Sequence, residues 1–170
     1  FEEFLWALGD EVSFDLMRSN FEKNIPLGQA VHRKLLNCFR QYMLVGGMPQ
    51  VVTTYIETRD FEKADAVKRT ILKLYRQDIT RFAYGYENKV KSIFDEIPTQ
   101  LTKKEKRFNL SSLGKEVRFR TYKDAFMWMD DGMIINSCYN STDPTFGLSM
   151  YLDTTSMKCY MADTGLLITH

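Results

Sequence analysis

Apolar residues recur at helical spacing over residues 31–44, where Leu35, Leu36, Phe39, Tyr42 and Met43 share one face. This helix is expected to end at Gly46-Gly47, because glycine reaches left-handed backbone without steric cost. Pro49 suits the first turn of the next helix, where its missing N–H would have had no partner. That second helix runs to about Thr58, and Asp60 is placed to cap a third. From Phe61 to about Phe82, an apolar stripe is formed by Val67, Ile71, Leu74 and Tyr75, then Ile79 and Phe82. Three antiparallel helices are the economical arrangement.

The pattern changes after Tyr84-Gly85-Tyr86. Val90, Ile93, Phe94 and Ile97 mark a helix that Pro98 is expected to stop or kink. Phe108-Asn109-Leu110 reads as a short extended piece, and Ser111 or Ser112 as the cap of a short helix to about Val117. Thr121 is expected to cap another helix, with Tyr122, Ala125, Phe126, Trp128 and Met129 mostly inward and an end near Gly132. Met133 to Tyr139 reads as a strand, and Asn140 to Gly147 as a polar loop turning at Asp143-Pro144. Leu148 to Leu152 and Met157 to Met161 supply the returning strands. Helix, short strand, helix, turn, helix, strand, loop, strand is the order of a winged helix-turn-helix. The expected fold is mainly α: a small helical bundle followed by a winged helix with a short β-hairpin. The domain ranges are 1–27, 28–84 and 87–170.

Composition narrows the class. A chain of 170 residues, 44% hydrophobic and 26% charged, is an ordinary globular protein and can bury a core. No apolar stretch approaches the roughly 20 residues of a membrane helix, so no membrane partner is expected. Cys38, Cys138 and Cys159 lack paired spacing and read as reduced thiols in a cytoplasmic protein. Cys138 and Cys159 can face each other across neighbouring strands, although buried thiols are the simpler reading. The formal net charge of +1 excludes a globally basic nucleic-acid binder. That near-neutrality conceals an acidic front, with Glu2, Glu3, Asp10, Glu11, Asp15 and Glu22 against Arg18 and Lys23. It also conceals a basic patch over residues 103–123.

Catalytic machinery is nearly absent from the sequence. It contains neither a Gly-x-x-x-x-Gly-Lys-Ser/Thr phosphate loop nor Gly-x-Gly-x-x-Gly. His32 and His170 are far apart, and His32 reads as a surface residue with no ligand partner at suitable spacing. Asp130 and Asp131 are adjacent, so on a helix they diverge by about 100° and read as solvated acids. No catalytic residue, metal ligand or cofactor is assigned, and the chain itself is not expected to be an enzyme. Phe4, Trp6, Phe39, Phe82, Phe94, Phe126 and Trp128 read mostly as core. Phe1, Phe4 and Leu5 are the expected exposed apolar face.

Two stretches, Leu44-Val45-Gly46-Gly47-Met48-Pro49-Gln50-Val51-Val52 and Phe1-Glu2-Glu3-Phe4-Leu5, resemble the prokaryotic family of predicted AAA-type ATP-binding proteins. Tyr75-Arg76-Gln77-Asp78, Ile97-Pro98-Thr99-Gln100-Leu101 and Arg118-Phe119-Arg120-Thr121-Tyr122 continue the resemblance in the family's order. So do Trp128-Met129-Asp130-Asp131-Gly132 and Tyr160-Met161-Ala162-Asp163-Thr164-Gly165-Leu166-Leu167. The resemblance implies a longer polypeptide in which an N-terminal ATPase core, with phosphate loop and magnesium-binding acid, precedes this chain. It also implies a nuclease-like segment after it. Residues 1–27 would be the tail of the core, 28–84 a helical lid and 87–170 the winged helix. ATP and magnesium would be cofactors of the parent protein. In the related signal-transducing ATPases a Gly-x-Pro turn of the lid packs its proline near the adenine; Gly46, Gly47 and Pro49 match that position. The Gly46-Gly47 turn and the Tyr84-Gly85-Tyr86 break are expected hinges, and Arg76 and Asp78 are expected to tie the long helix to its neighbours. A helix C-cap followed by proline at the next N-terminus explains Gly46, Gly47 and Pro49 equally well without a ligand.

Two other classes stay open. Lys103, Lys104, Lys106, Arg107, Lys115, Arg118, Arg120 and Lys123 surround the helix-turn-helix and can contact the phosphates of DNA, as in a DNA-binding regulator. Asp124, Asp130 and Asp131 on the would-be recognition helix oppose sequence-specific reading, because carboxylates beside phosphates repel. Winged helices also serve as protein-docking modules with no nucleic-acid role.

Overall fold

The computed structural model describes residues 1–114, 117–143 and 147–170, with the side chains of Ser149, Thr154 and Thr155 left undescribed. Eight α-helices and one two-stranded antiparallel sheet are found among the described residues. The architecture is mainly α with a small β element. Chain contacts divide it into two compact units, Phe1–Ile71 with Asp163–Thr169, and Leu72–Ala162 with His170.

The first unit contains α1 (Glu2–Ala7), α2 (Ser13–Glu22), α3 (Gln29–Val45), α4 (Pro49–Thr58), the first half of α5 (Phe61–Phe82) and α8 (Thr164–Thr169). Its core is Phe4, Val45, Val51, Tyr55 and Ala64, flanked by Tyr42, Val67 and Ile71. Pro49 is the first residue of α4, as its ring predicts. Asp60 accepts the Glu62 N–H at 2.8 Å and so caps α5. Phe4 and Leu5 are fully buried, which corrects the expectation that they form an exposed face. Trp6 and Phe39 are exposed instead of core. Helical periodicity identifies a face; whether anything covers it depends on the neighbouring helices. Asp10 joins two segments: it accepts the Ser13 N–H and hydroxyl at 3.0 and 2.7 Å and pairs with Lys34 at 2.6 Å. The Lys34 ammonium and the Ser13 donors hold its carboxyl well below the usual carboxylate range.

The second unit contains the rest of α5, α6 (Glu87–Thr102), a 3-10 turn (Leu110–Leu113), α7 (Phe119–Asp131), β1 (Ile135–Ser141), a second 3-10 turn (Leu148–Tyr151) and β2 (Leu152–Met161). Its buried residues include Ile79, Val90, Ile93, Phe94, Ile97, Phe126 and Met129. Leu74 and Phe82, expected in the stripe, are exposed, while Leu72 is buried. Gly85 has φ +82° in the break between α5 and α6. α6 continues through Pro98 to Thr102, so that proline does not stop it. The Phe108 N–H donates to the Met157 carbonyl of β2 at 2.8 Å, which joins the expected short extended piece to the sheet. The expected cap at Ser111 or Ser112 is corrected to Asn109, whose side chain accepts the Ser111 N–H at 3.1 Å, and the helix there is a 3-10 turn. α7 starts two residues before Thr121, and the Thr121 hydroxyl bonds back to the Arg118 carbonyl. Leu148 to Tyr151 is helical rather than extended, and the β1–β2 register shifts between Tyr139 and Asn140.

Buried Gln100, 1% exposed, joins α6 to the first 3-10 turn. Its amide nitrogen donates to Glu96 at 2.6 Å and Ser112 at 2.8 Å, and its oxygen accepts the Asn109 N–H at 3.2 Å. A buried amide is tolerated because its donors and acceptor all have partners.

Candidate functional site

The expected Gly46-Gly47 turn is the most closely built place in the first unit. The Gly46 N–H donates to the Tyr42 carbonyl at 2.7 Å, and Gly46 then adopts φ +85°. Met48 is extended, and α4 begins at Pro49. Asp163, only 7% exposed, lies against this turn. One carboxylate oxygen accepts the Gly47 N–H at 2.6 Å, and the other accepts the Leu166 N–H at 2.8 Å. The same carboxylate therefore caps α8 and holds the α3–α4 turn.

Both approaches require glycine. A Cβ on Gly46 would overlap the Asp163 carboxylate, and one on Gly165 would overlap the Val45 carbonyl. Lys68, on α5 and 5% exposed, donates to the Leu44 carbonyl at 2.9 Å and lies 3.4 Å from Asp65. A cation on the last carbonyls of α3 complements the negative end of that helix. Asp65 also accepts the Thr169 hydroxyl at 2.6 Å, a second tie to α8. That hydroxyl, then Arg69, holds the Asp65 carboxyl below its ordinary value.

Beside the turn is a cavity of about 270 Å³ whose walls include Phe1, Phe4, Tyr42, Gly47, Pro49 and Val52. Ring centroids of Phe1 and Phe4 lie 5.7 and 5.6 Å from that of Tyr42. Glu3 and Thr53 bring the polar side chains at its rim. Its volume is just below the roughly 300 Å³ at which ligand pockets generally begin.

A family model described as a domain of unknown function (DUF8612) matches residues 36–170. The chain belongs to the DUF8612 family. No curated protein and no solved structure matches it. The region matched to DUF8612 includes Gly46, Gly47, Pro49 and Asp163, so both sides of the clamp lie within it.

The basic residues lie mainly in the second unit's surface. Lys104, Arg120 and Lys123 are exposed. Lys103 is 3.9 Å from Glu96, the Lys106 ammonium bonds the Leu101 carbonyl, and Arg118 immediately precedes α7. Lys115 lies outside the described residues. Lys103, Arg107, Asn109 and Ser111 line an open pocket of about 490 Å³, together with Glu105. Asp124 and Asp131 are exposed, whereas Asp130 is half-buried and accepts the Ser137 N–H at 3.0 Å. That bond ties the end of α7 to β1, a role that adjacent acids in a sequence do not reveal.

The remaining candidates separate. Arg76 pairs with Asp95 of α6 at 2.6 Å, while Asp78 is exposed. His32 is exposed; the His170 side chain is buried and lies 4.5 Å from Phe94, ring to ring. Burial, then the nearby Arg76 charge, lowers the His170 pKa. Cys138 and Cys159 do not face each other, because Cys159 is opposite Ser137 and Cys138 opposite Lys158. Burial, then Asp130, pushes the Cys159 thiol up to about 12. Among the described residues no three His, Cys, Asp or Glu side chains group closely enough to hold a metal ion. No described helix is long and apolar enough to cross a membrane.

Sequence reading found the glycines and the proline of the turn but not Asp163 as their partner. An available signal was Asp163 followed by Thr164-Gly165-Leu166-Leu167, an N-cap residue before an apolar run.

Proposed function

We propose that this chain is the lid and winged-helix module of an AAA-type, P-loop ATP-binding protein, and that it responds to the nucleotide held by the parent's core. The aromatic cavity beside Gly47 and Pro49 carries the reading. Pro49 gives a rigid apolar face, Phe4 and Tyr42 back it, and the glycine backbone allows close approach. A purine ring seated there would bias the Gly46-Gly47 turn, and with it the helices on either side. The resemblance supplies the phosphate loop and magnesium-binding acid from the preceding core; no catalytic group is assigned to this chain. The order α6, Phe108 contact, 3-10 turn, α7, β1, β2 supports the winged-helix part, with the middle helix reduced to a single 3-10 turn.

The experiment starts by reading the coding sequence upstream of Phe1, where a phosphate loop is expected; its absence rejects the proposal. In the protein that contains it, Pro49→Ala should weaken binding of a fluorescent ATP analogue, and Gly47→Val should slow ATP turnover. Unchanged affinity and turnover in both variants would reject a role for the turn.

A DNA-binding reading is favoured by the open pocket at Lys103 and Arg107 and by Arg118 and Arg120 at the start of α7, whose first turn contains no acid. Fluorescence anisotropy of labelled duplex DNA against the chain tests it, with Arg118→Glu/Arg120→Glu as control. Salt-sensitive binding that disappears in the control supports this reading. Its absence at low salt leaves the winged helix as a protein-docking module.

A further inference from the structure

A second basic feature shares no lining residue with the pocket at Lys103 and Arg107. The second half of α5 places Lys73, Arg76, Gln77 and Thr80 along one face, and α6 adds Lys91 across an open groove of about 460 Å³. Positions 73 to 80 span roughly 10 Å of helix. Three cations and an amide line this groove, and no carboxylate is among its lining residues. Asp95 pairs with Arg76, through Nη1 at 2.6 Å. That contact and the buried Phe94 ring, 5.4 Å from the guanidinium carbon, fix the arginine, which keeps further N–H donors. The Thr80 hydroxyl donates to the Arg76 carbonyl of its own helix at 2.9 Å. No aromatic side chain lines the groove, so it has no platform on which a base can stack.

We propose that this groove binds the phosphate backbone of a nucleic acid without reading its bases. Its length along the helix suits consecutive phosphates, and its openness suits a long polyanion better than a small ion that needs enclosing walls. Lys73 and Lys91 are the point charges on either side, and Arg76 is the pre-set fork between them. This inference does not depend on the ATP-binding proposal or on the α7 flank.

The test is anisotropy of a short labelled duplex of arbitrary sequence against the 170-residue chain, titrated between about 50 and 200 mM salt. Lys73→Glu/Lys91→Glu should weaken binding at least roughly tenfold and flatten the salt dependence by about two phosphate equivalents. Circular dichroism checks that this variant folds; Lys73→Gln/Lys91→Gln replaces it if it does not. Wild-type-like binding by the folded variant overturns the proposal, and if Arg118→Glu/Arg120→Glu then abolishes binding, the flank is the site. Absence of duplex binding by wild type at low salt also overturns it. So does displacement of the duplex by inorganic phosphate beyond the effect of chloride at equal ionic strength, which would make the groove a free-phosphate site.

Discussion

Asp163 and Gly47 are joined by a 2.6 Å hydrogen bond between residues 116 positions apart. The bond is charge-assisted and half-buried, and the same carboxylate caps α8 through a fully buried bond to the Leu166 N–H. Asp163→Ala leaves the Gly47 and Leu166 N–H groups without their partner. The expected cost is about 1–3 kcal/mol per orphaned donor that stays buried. Urea denaturation should show a lower midpoint, and Asp163→Asn, which keeps an acceptor, should lose less.

Gly165→Ala tests the close approach from the other side. Its Cβ would meet the Val45 backbone carbonyl, which cannot rotate away like a side chain. A loss of at least about 1 kcal/mol is expected, read as a lower melting temperature. Wild-type melting would mean that α8 can shift without cost.

Gln100→Leu removes three hydrogen bonds at once while keeping approximate size. The Asn109 N–H then loses its acceptor at the entry to the 3-10 turn. A destabilisation of about 1–3 kcal/mol is expected in chemical denaturation. Faster amide exchange at Asn109 and Ser111 should accompany it.

The cysteines should react unequally. Cys138 is exposed and Cys159 is buried, with its thiol held up near 12. Because the thiolate is the reactive form, iodoacetamide at neutral pH should label Cys138 and spare Cys159 in the folded chain. Equal labelling, located by mass spectrometry, would contradict the burial of Cys159.

Acid sensitivity should reside partly at Asp10. Its carboxyl is held below the unfolded value of about 4 by Lys34 and then Ser13. A carboxyl with depressed folded-state pKa stabilises above the unfolded value, and that contribution is lost as pH falls through the folded one. Asp10→Asn should therefore reduce the wild-type's excess stability at neutral pH and change little in strong acid. Melting temperatures of both proteins across the acid range measure the difference.

Much of the helical framework was legible. Local spacing was enough for α3, the Pro49 start of α4, and α5 with its Asp60 cap, because periodicity, proline and capping act within a few residues. Thr121 and the Ser111–Ser112 pair misled for the same local reason, and Pro98 does not stop α6. Each has a strong boundary preference that surrounding structure overrides, and Pro98 continues inside α6 with buried Ile97 and Gln100 on either side. The turn at Gly46-Gly47 was readable, but its partner was not. Nothing near Gly47 announces a carboxylate more than a hundred residues away. The groove at Lys73 and Lys91 was equally hidden, since it forms only when α5 and α6 lie side by side.

The discontinuity of the first unit has a consequence for the order in which the protein is made. The second unit is an insertion in the sequence of the first, between Ile71 and Asp163. During synthesis, α1 to α4 emerge long before the residues that close their turn. Gly47 must wait until the second unit has been made, so the early product lacks its α8 covering and is exposed to association with other chains. The second unit, apart from His170, can collect its contacts from one continuous stretch. Folding of the first unit is therefore expected to follow synthesis of the second, with α8 closing on helices made long before it.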